Sequence, residues 1–122
     1  MPEGFLPLLI VLFLVLAAEF VNGWTDAANA VATVISTRVL SPLQAVLMAS
    51  VLNILGAIVT GTAVAVTIGT GIVKPEAINL PVVAAAMLTI VIWSTLAWRW
   101  GLPTSESHEL IAGLAGAGLA VA

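Results

Sequence analysis

The chain has 122 residues, 61% of them hydrophobic and only 7% charged, with a net charge of −3. Soluble domains carry charge on about a quarter of their residues, so this chain cannot cover a water-facing globule, and its solvent is mostly lipid. Its three basic residues form no patch for nucleic acid, and the absence of cysteine excludes disulfides and thiolate metal sites.

The leading segment carries Glu3 where a secretory signal has a basic region, and its apolar run leads into more membrane sequence, so a cleaved signal peptide is not expected. That run extends from Phe5 to about Val21, and the chain then continues to Leu40 without a proline. As one straight helix, Phe5 to Leu40 would be about 50 Å long, against a hydrocarbon slab of roughly 30 Å. Such a helix must tilt strongly, leave the membrane or break. Asn22-Gly23 is the expected break, with Thr25 or Asp26 capping a second piece and exposing the backbone N–H groups of Thr25 to Ala28.

The next helix has a clear start: Ser41 at the N-cap, Pro42 at the first position and Gln44 as the capping-box partner. It is predicted to run to about Ile68. "GTGIVKPEAINLP" then reads as a loop with Lys74 and Glu76 at its water-facing end. A third span is predicted over about Pro81 to Trp100, a polar break over "GLPTSESHE", and a final small-residue helix from Glu109 to Ala122. The expected fold is an all-α integral membrane protein, with about three transmembrane helices plus discontinuous or re-entrant half-helices. Residues 1–122 form one membrane domain. Arg38, Lys74 and Arg99, one per connection, are too few for positive-inside counting to orient it.

Two polar insertions interrupt this apolar sequence. In the first, Asn22, Asp26, Asn29, Thr33 and Thr37 recur at helical spacing and share one face, amid alanines small enough for close helix approach. An ionised Asp at mid-bilayer costs about 2.5–3.5 kcal/mol on the insertion scale. Asp26 lies about 18 Å along a helix from Arg38; with Arg38 at the water interface it sits near the midplane. A hydrogen-bonding role between helices suffices for the threonines and amides, but not for the acid.

In the second insertion Gly101 and Pro103 end a helix, and Thr104 or Ser105 can cap the next. Hydroxyls, backbone N–H groups and the helix dipole together make a donor-rich cradle that suits a tetrahedral oxyanion. The competing reading is a solvated turn, with Trp98, Arg99 and Trp100 as interface anchors and His108 as a loop residue. No nucleophile elbow or H-E-x-x-H pattern is present, so enzyme chemistry is not expected.

Together the insertions resemble the inorganic phosphate transporter family. "VNGWTDAANAVATVISTRVLSPLQAV" is similar to that family's N-G-x-[NH]-D-x-A-N-A-x-A-T signature, and "GLPTSESHELIAGLAG" to its G-x-P-x-S-[ST]-S-H-x-L-x-G element, over about Glu19 to Gly116. The resemblance implies one repeat, the N-terminal one, of an inverted-repeat secondary transporter that moves phosphate with Na⁺ or H⁺, with no other cofactor. It implies Asp26, Asn29, Asn22 and Thr33 on the coupling cation, Asp26 being the carboxylate ligand if that ion is Na⁺. It implies Ser105, Ser107, Thr104 and Asn29 on phosphate, from the tip of a re-entrant hairpin; beyond the resemblance, the titratable Glu106 and His108 of this segment are candidate proton-coupling groups. Thr25 departs from the usual Asn or His, and Glu106 stands where the family has Ser or Thr. The implied partners are phosphate, the coupling ion, the bilayer and a second half-transporter chain or second copy, in a multi-pass prokaryotic plasma-membrane protein. A permease for another oxyanion such as sulfate, and a non-transporting truncated protein or assembly partner, are the alternatives.

Overall fold

A computed structural model describes residues 4–71, 76 and 78–121. Glu3, Lys74 and Ala122 lie outside the described residues. The described secondary structure is helical: α1 (Phe5–Ser36), α2 (Pro42–Thr60), α3 (Ala63–Gly71), α4 (Leu80–Arg99) and α5 (Glu106–Val121). Of these, α1, α2 and α4 are long and apolar enough to cross a membrane.

The expected break at Asn22-Gly23 is absent, and α1 is one helix of 32 residues. At about 48 Å it exceeds the hydrocarbon thickness by half. A helical glycine costs about 1 kcal/mol relative to Ala. Opening the helix in lipid leaves backbone N–H and C=O groups unpaired at several kcal/mol each, so the continuous helix wins. Thr25 therefore caps nothing; its hydroxyl donates to the Val21 carbonyl at 2.9 Å. The N–H groups of Thr25 to Ala28 belong to the helix ladder and form no anion cradle.

Helix α1 stops where Arg38 takes a left-handed conformation (φ 58°). The Arg38 N–H donates to the Ile35 carbonyl at 3.0 Å and the Val39 N–H to the Val34 carbonyl at 3.2 Å, the Schellman pattern with an arginine in the position glycine usually takes. Helix α2 starts as its sequence predicts. The Ser41 side chain accepts from the Gln44 N–H, and the Gln44 side chain accepts from the Ser41 N–H at 3.1 Å, with Pro42 at the first position. Replacing Ser41 with Ala is expected to lower stability by about 1 kcal/mol, measured as a lower thermal midpoint in detergent.

The predicted run from Pro42 to Ile68 is split. Gly61 adopts φ 65°, ψ −146°, a region closed to residues with a Cβ, and α3 begins at Ala63. The last helix starts three residues earlier than predicted, at Glu106, which places Ser107 and His108 in its first turn.

Packing centres on α4, which contacts both α1 and α5. Its buried residues Val82, Ala86, Ile90, Ser94 and Ala97 form one stripe. Val82 and Ala86 pack with Leu114 of α5, flanked by Met87, Leu110 and Ala117. The pairings Ser94–Glu109 and Ala86–Gly113 run in opposite directions along the two helices, so α4 and α5 are an antiparallel hairpin. Helix α2 leans more lightly on α1, with Ala45 its buried residue.

Candidate functional site

The hairpin brings the two polar insertions together. Helix α4 ends in a second Schellman turn: Gly101 at φ 69°, its N–H donating to the Trp98 carbonyl at 3.1 Å and the Leu102 N–H to the Ala97 carbonyl at 2.8 Å. Pro103 then prevents the helix from resuming. This turn aims residues 101–104 at the middle of α1, where they share a cavity of ≈ 230 Å³ with Thr25, Asn29 and Trp98. Trp24 and Trp98 seal one side with ring centroids 4.7 Å apart at 55°. Trp98, expected as an interface anchor, is thus also a contact between α1 and the turn.

On α1 the carboxylate and amide form a unit: Asn29 Nδ2 donates to Asp26 Oδ1. Asp26 and Asn22 are half-buried, whereas Asn29, Thr33 and Thr37 are exposed. The Thr37 hydroxyl is occupied by the Thr33 carbonyl at 2.8 Å. Asn22 and Asp26 line a second cleft, of ≈ 400 Å³, between α1 and α2. Its far wall carries Ser50 and Asn53, neither of which is among the site residues expected from the sequence. Their three-residue spacing, one helical turn, was the available signal. Asn29 faces the hairpin turn while Asp26 faces α2, so one hydrogen-bonded pair joins the two spaces.

On the hairpin, the Ser105 carbonyl accepts the Glu109 N–H at 3.0 Å, which puts Ser105 at the N-cap position of α5. Thr104 lines both the α1 cavity and a larger one of ≈ 660 Å³, where it meets Ser105 and His108. Ser107 and Thr33 are exposed and line none of these three spaces. The four hydroxyls and amides assigned to phosphate are therefore divided: Asn29 and Thr104 meet, Ser105 is adjacent, and Ser107 points elsewhere.

The charge around this turn is acidic. Partial burial, then the carboxylates of Glu19, Glu109 and Asp26, push the Glu106 carboxyl at the start of α5 up to about 7. Two of these carboxylates, Glu19 and Asp26, come from α1, far away in sequence, and a field so negative repels an anion unless cations or protons offset it. Among the described residues there is no cluster of three or more His, Asp and Glu able to hold a metal ion.

A model of the phosphate transporter family matches residues 22–122. The chain is 46% identical over 115 residues to a probable low-affinity inorganic phosphate transporter of Rhizobium meliloti (strain 1021), covering 93% of this chain and 34% of that protein. It is 51% identical over 116 residues to a protein of the same description from Streptomyces halstedii, covering 92% of this chain and 54% of the relative. A third, from Bacillus subtilis (strain 168), is 40% identical over 116 residues and is covered over 34% of its length. The chain thus spans from about a third to about half the length of these curated relatives. No solved structure matches it. Three apolar helices and transporter relatives make it a multi-pass membrane protein. The family match takes in both polar insertions and the hairpin that joins them, and by it the chain belongs to the phosphate transporter family.

Proposed function

We propose that the chain is half of a plasma-membrane phosphate permease that moves inorganic phosphate by cation symport. It forms one membrane domain over residues 1–122 and completes its site with a second half-transporter chain or a second copy. The cavity that Thr25 and Asn29 share with Gly101 to Thr104 carries the reading, because it joins donor groups from both polar insertions beside an acid. Phosphate bound there sits close to Asp26 through the Asn29 amide. Two unit charges about 5 Å apart repel by roughly 3 kcal/mol at an effective dielectric of 20, which weakens binding more than a hundredfold. A cation held by Asp26, with Asn29 and Asn22 as further oxygen donors on the same face, removes that repulsion and ties phosphate entry to the ion gradient. Thr104, Ser105 and Asn29 supply hydrogen bonds to the oxyanion; Ser107 joins them if the hairpin turns when the second half docks.

The test is labelled phosphate uptake by cells lacking their own phosphate uptake, with the remaining half supplied in trans. Uptake should follow an imposed Na⁺ or H⁺ gradient and resist excess sulfate. Competition by sulfate at equal concentration would move the assignment to a broader oxyanion permease, and absence of uptake with either gradient would refute symport.

Glu106 gives the proton arm its own test. A carboxyl held near 7 changes charge within the physiological range, so phosphate entry should improve as pH falls and Glu106 is neutralised. The Glu106→Thr variant is expected to flatten uptake between pH values on either side of 7; an unaltered profile would remove Glu106 from the coupling scheme.

A further inference from the structure

Helix α2 carries two polar side chains, Ser50 and Asn53, that lie outside both polar insertions and outside the phosphate cavity. Both are exposed in the middle of a helix apolar enough to cross a membrane. Polar groups at that depth are costly unless something pairs with them. Both line the ≈ 400 Å³ cleft opposite Asn22 and Asp26 of α1. Twelve residues separate Asp26 from Arg38, and twelve separate Ser41 from Asn53. Asp26 and Asn53 therefore each stand about 18 Å along their helix from the short connection between α1 and α2, at equal depth.

What these groups present to the cleft is oxygen. The Ser50 hydroxyl donates its proton to the Val46 carbonyl at 2.8 Å, so only its lone pairs are left to offer. The hydrogen bond from Asn29 engages Asp26 Oδ1 and leaves Oδ2 outside it. Asn22 and Asn53 each add an amide carbonyl. A single carboxylate with three neutral oxygens balances one positive charge. Divalent cations of the hard class gather several carboxylates, and among the described residues no such cluster exists. A proton needs one oxygen, whereas a metal cation needs a shell of them. The cleft is also wide enough for such a cation to keep some of its water, at about 30 Å³ per molecule.

We propose that Ser50 and Asn53 of α2 complete, with Asp26 and Asn22 of α1, a binding site for a monovalent metal cation such as Na⁺ in the α1–α2 cleft. The site rests on the cleft; its purpose rests on the symport reading above, which it narrows to a metal ion instead of a proton. Helix α2 leans only lightly on α1, so an ion held by both helices ties them together. The cation then lies on the α2 side of the Asp26–Asn29 pair and the oxyanion on the hairpin side.

The experiment is equilibrium binding of radiolabelled Na⁺ to the full chain in detergent without phosphate, with choline holding the ionic strength. Wild type should bind Na⁺ saturably, and Na⁺ but not choline should raise its thermal midpoint. Ser50→Ala and Asn53→Ala should each weaken binding about tenfold, as expected when one oxygen is withdrawn from a charge. Ser50→Thr restores a hydroxyl and should restore binding, and Val46→Ala, which trims only the apolar wall, should bind as wild type does. Absence of saturable binding overturns the proposal, as does equal affinity in wild type and both α2 variants. If Asn53→Ala fails to fold, Ser50→Ala decides, since alanine is the best helix former and this serine is exposed. Phosphate uptake is a separate readout. A chain that binds Na⁺ through α2 but moves no phosphate with its second half refutes the transport reading and leaves the cation site standing. Binding that is lost in Asp26→Asn and unchanged in both α2 variants does the reverse.

Discussion

Replacing Asp26 with Asn is expected to cut gradient-driven phosphate uptake by about a hundredfold, while the protein inserts and folds as well as before. The substitution is nearly isosteric, and the new side-chain carbonyl still accepts from Asn29 Nδ2, so the local geometry on α1 survives. What disappears is the negative charge that holds a cation. A loss of about 3 kcal/mol of cation attraction corresponds to about two powers of ten. Folding should be unharmed, because removing an ionised Asp from a lipid-facing or half-buried position lifts about 2.5–3.5 kcal/mol on the insertion scale. The measurement pairs labelled phosphate uptake, with the second half in trans, with thermal unfolding in detergent. Uptake that still follows the cation gradient in this variant would remove Asp26 from coupling. A chain without transport activity in any context, variant or not, would favour an assembly role.

The second large effect is structural. Substituting Gly113 with Leu should destabilise the hairpin by about 1–3 kcal/mol, the usual range for overpacking a tight contact. A Cβ at this position would meet Ala86 Cα at 3.3 Å and its Cβ and carbonyl oxygen at 3.4 Å, so even one carbon is tight against backbone and a whole leucine side chain finds no room. Helices in lipid lack a hydrophobic drive toward each other and depend on such close approaches. Gly116 is the control: nothing lies within 4 Å of a Cβ there. Gly116→Ala should be neutral, or stabilising by up to about 1 kcal/mol through helix propensity. Equal midpoints for Gly113→Leu and wild type would mean that α5 does not rest on α4 through this contact. If the hairpin carries Thr104 to its place, Gly113→Leu should also lower uptake.

How much of this was legible follows from where each determinant lies. The start of α2 was readable because its cap is contained in four consecutive residues, Ser41 to Gln44, whose side chains bond to their own backbone. The end of α4 was equally readable from Gly101 and Pro103. The polar face of α1 was visible as a periodicity, and Asn29 and Asp26, three residues apart, meet on it. The break expected at Asn22-Gly23 was misjudged because local capping preference was weighed without the solvent. In water a Gly-Asn pair can end a helix; in lipid the exposed backbone has nothing else to bond. Gly61, between Thr60 and Thr62, erred in the opposite direction: the apolar runs on either side of this short T-G-T segment hid a turn that only its positive φ reveals.

Local chemistry in the sequence by itself determined the membrane class, the three apolar helices, the caps and the two motifs that mark the family. These depend on composition, on i to i+4 spacing and on side chains bonding to neighbouring backbone, all of which act within a few residues. Tertiary structure alone decided that Asn29 faces Thr104 across a cavity, that Trp24 rests on Trp98, that Asp26 turns toward Ser50 and Asn53, and that Glu109 is buried against Ser94. Each joins residues 15 or more positions apart. Such pairings depend on which helix faces meet, a choice made by the packing of alanines and glycines such as Ala86 and Gly113 rather than by any residue that carries chemistry.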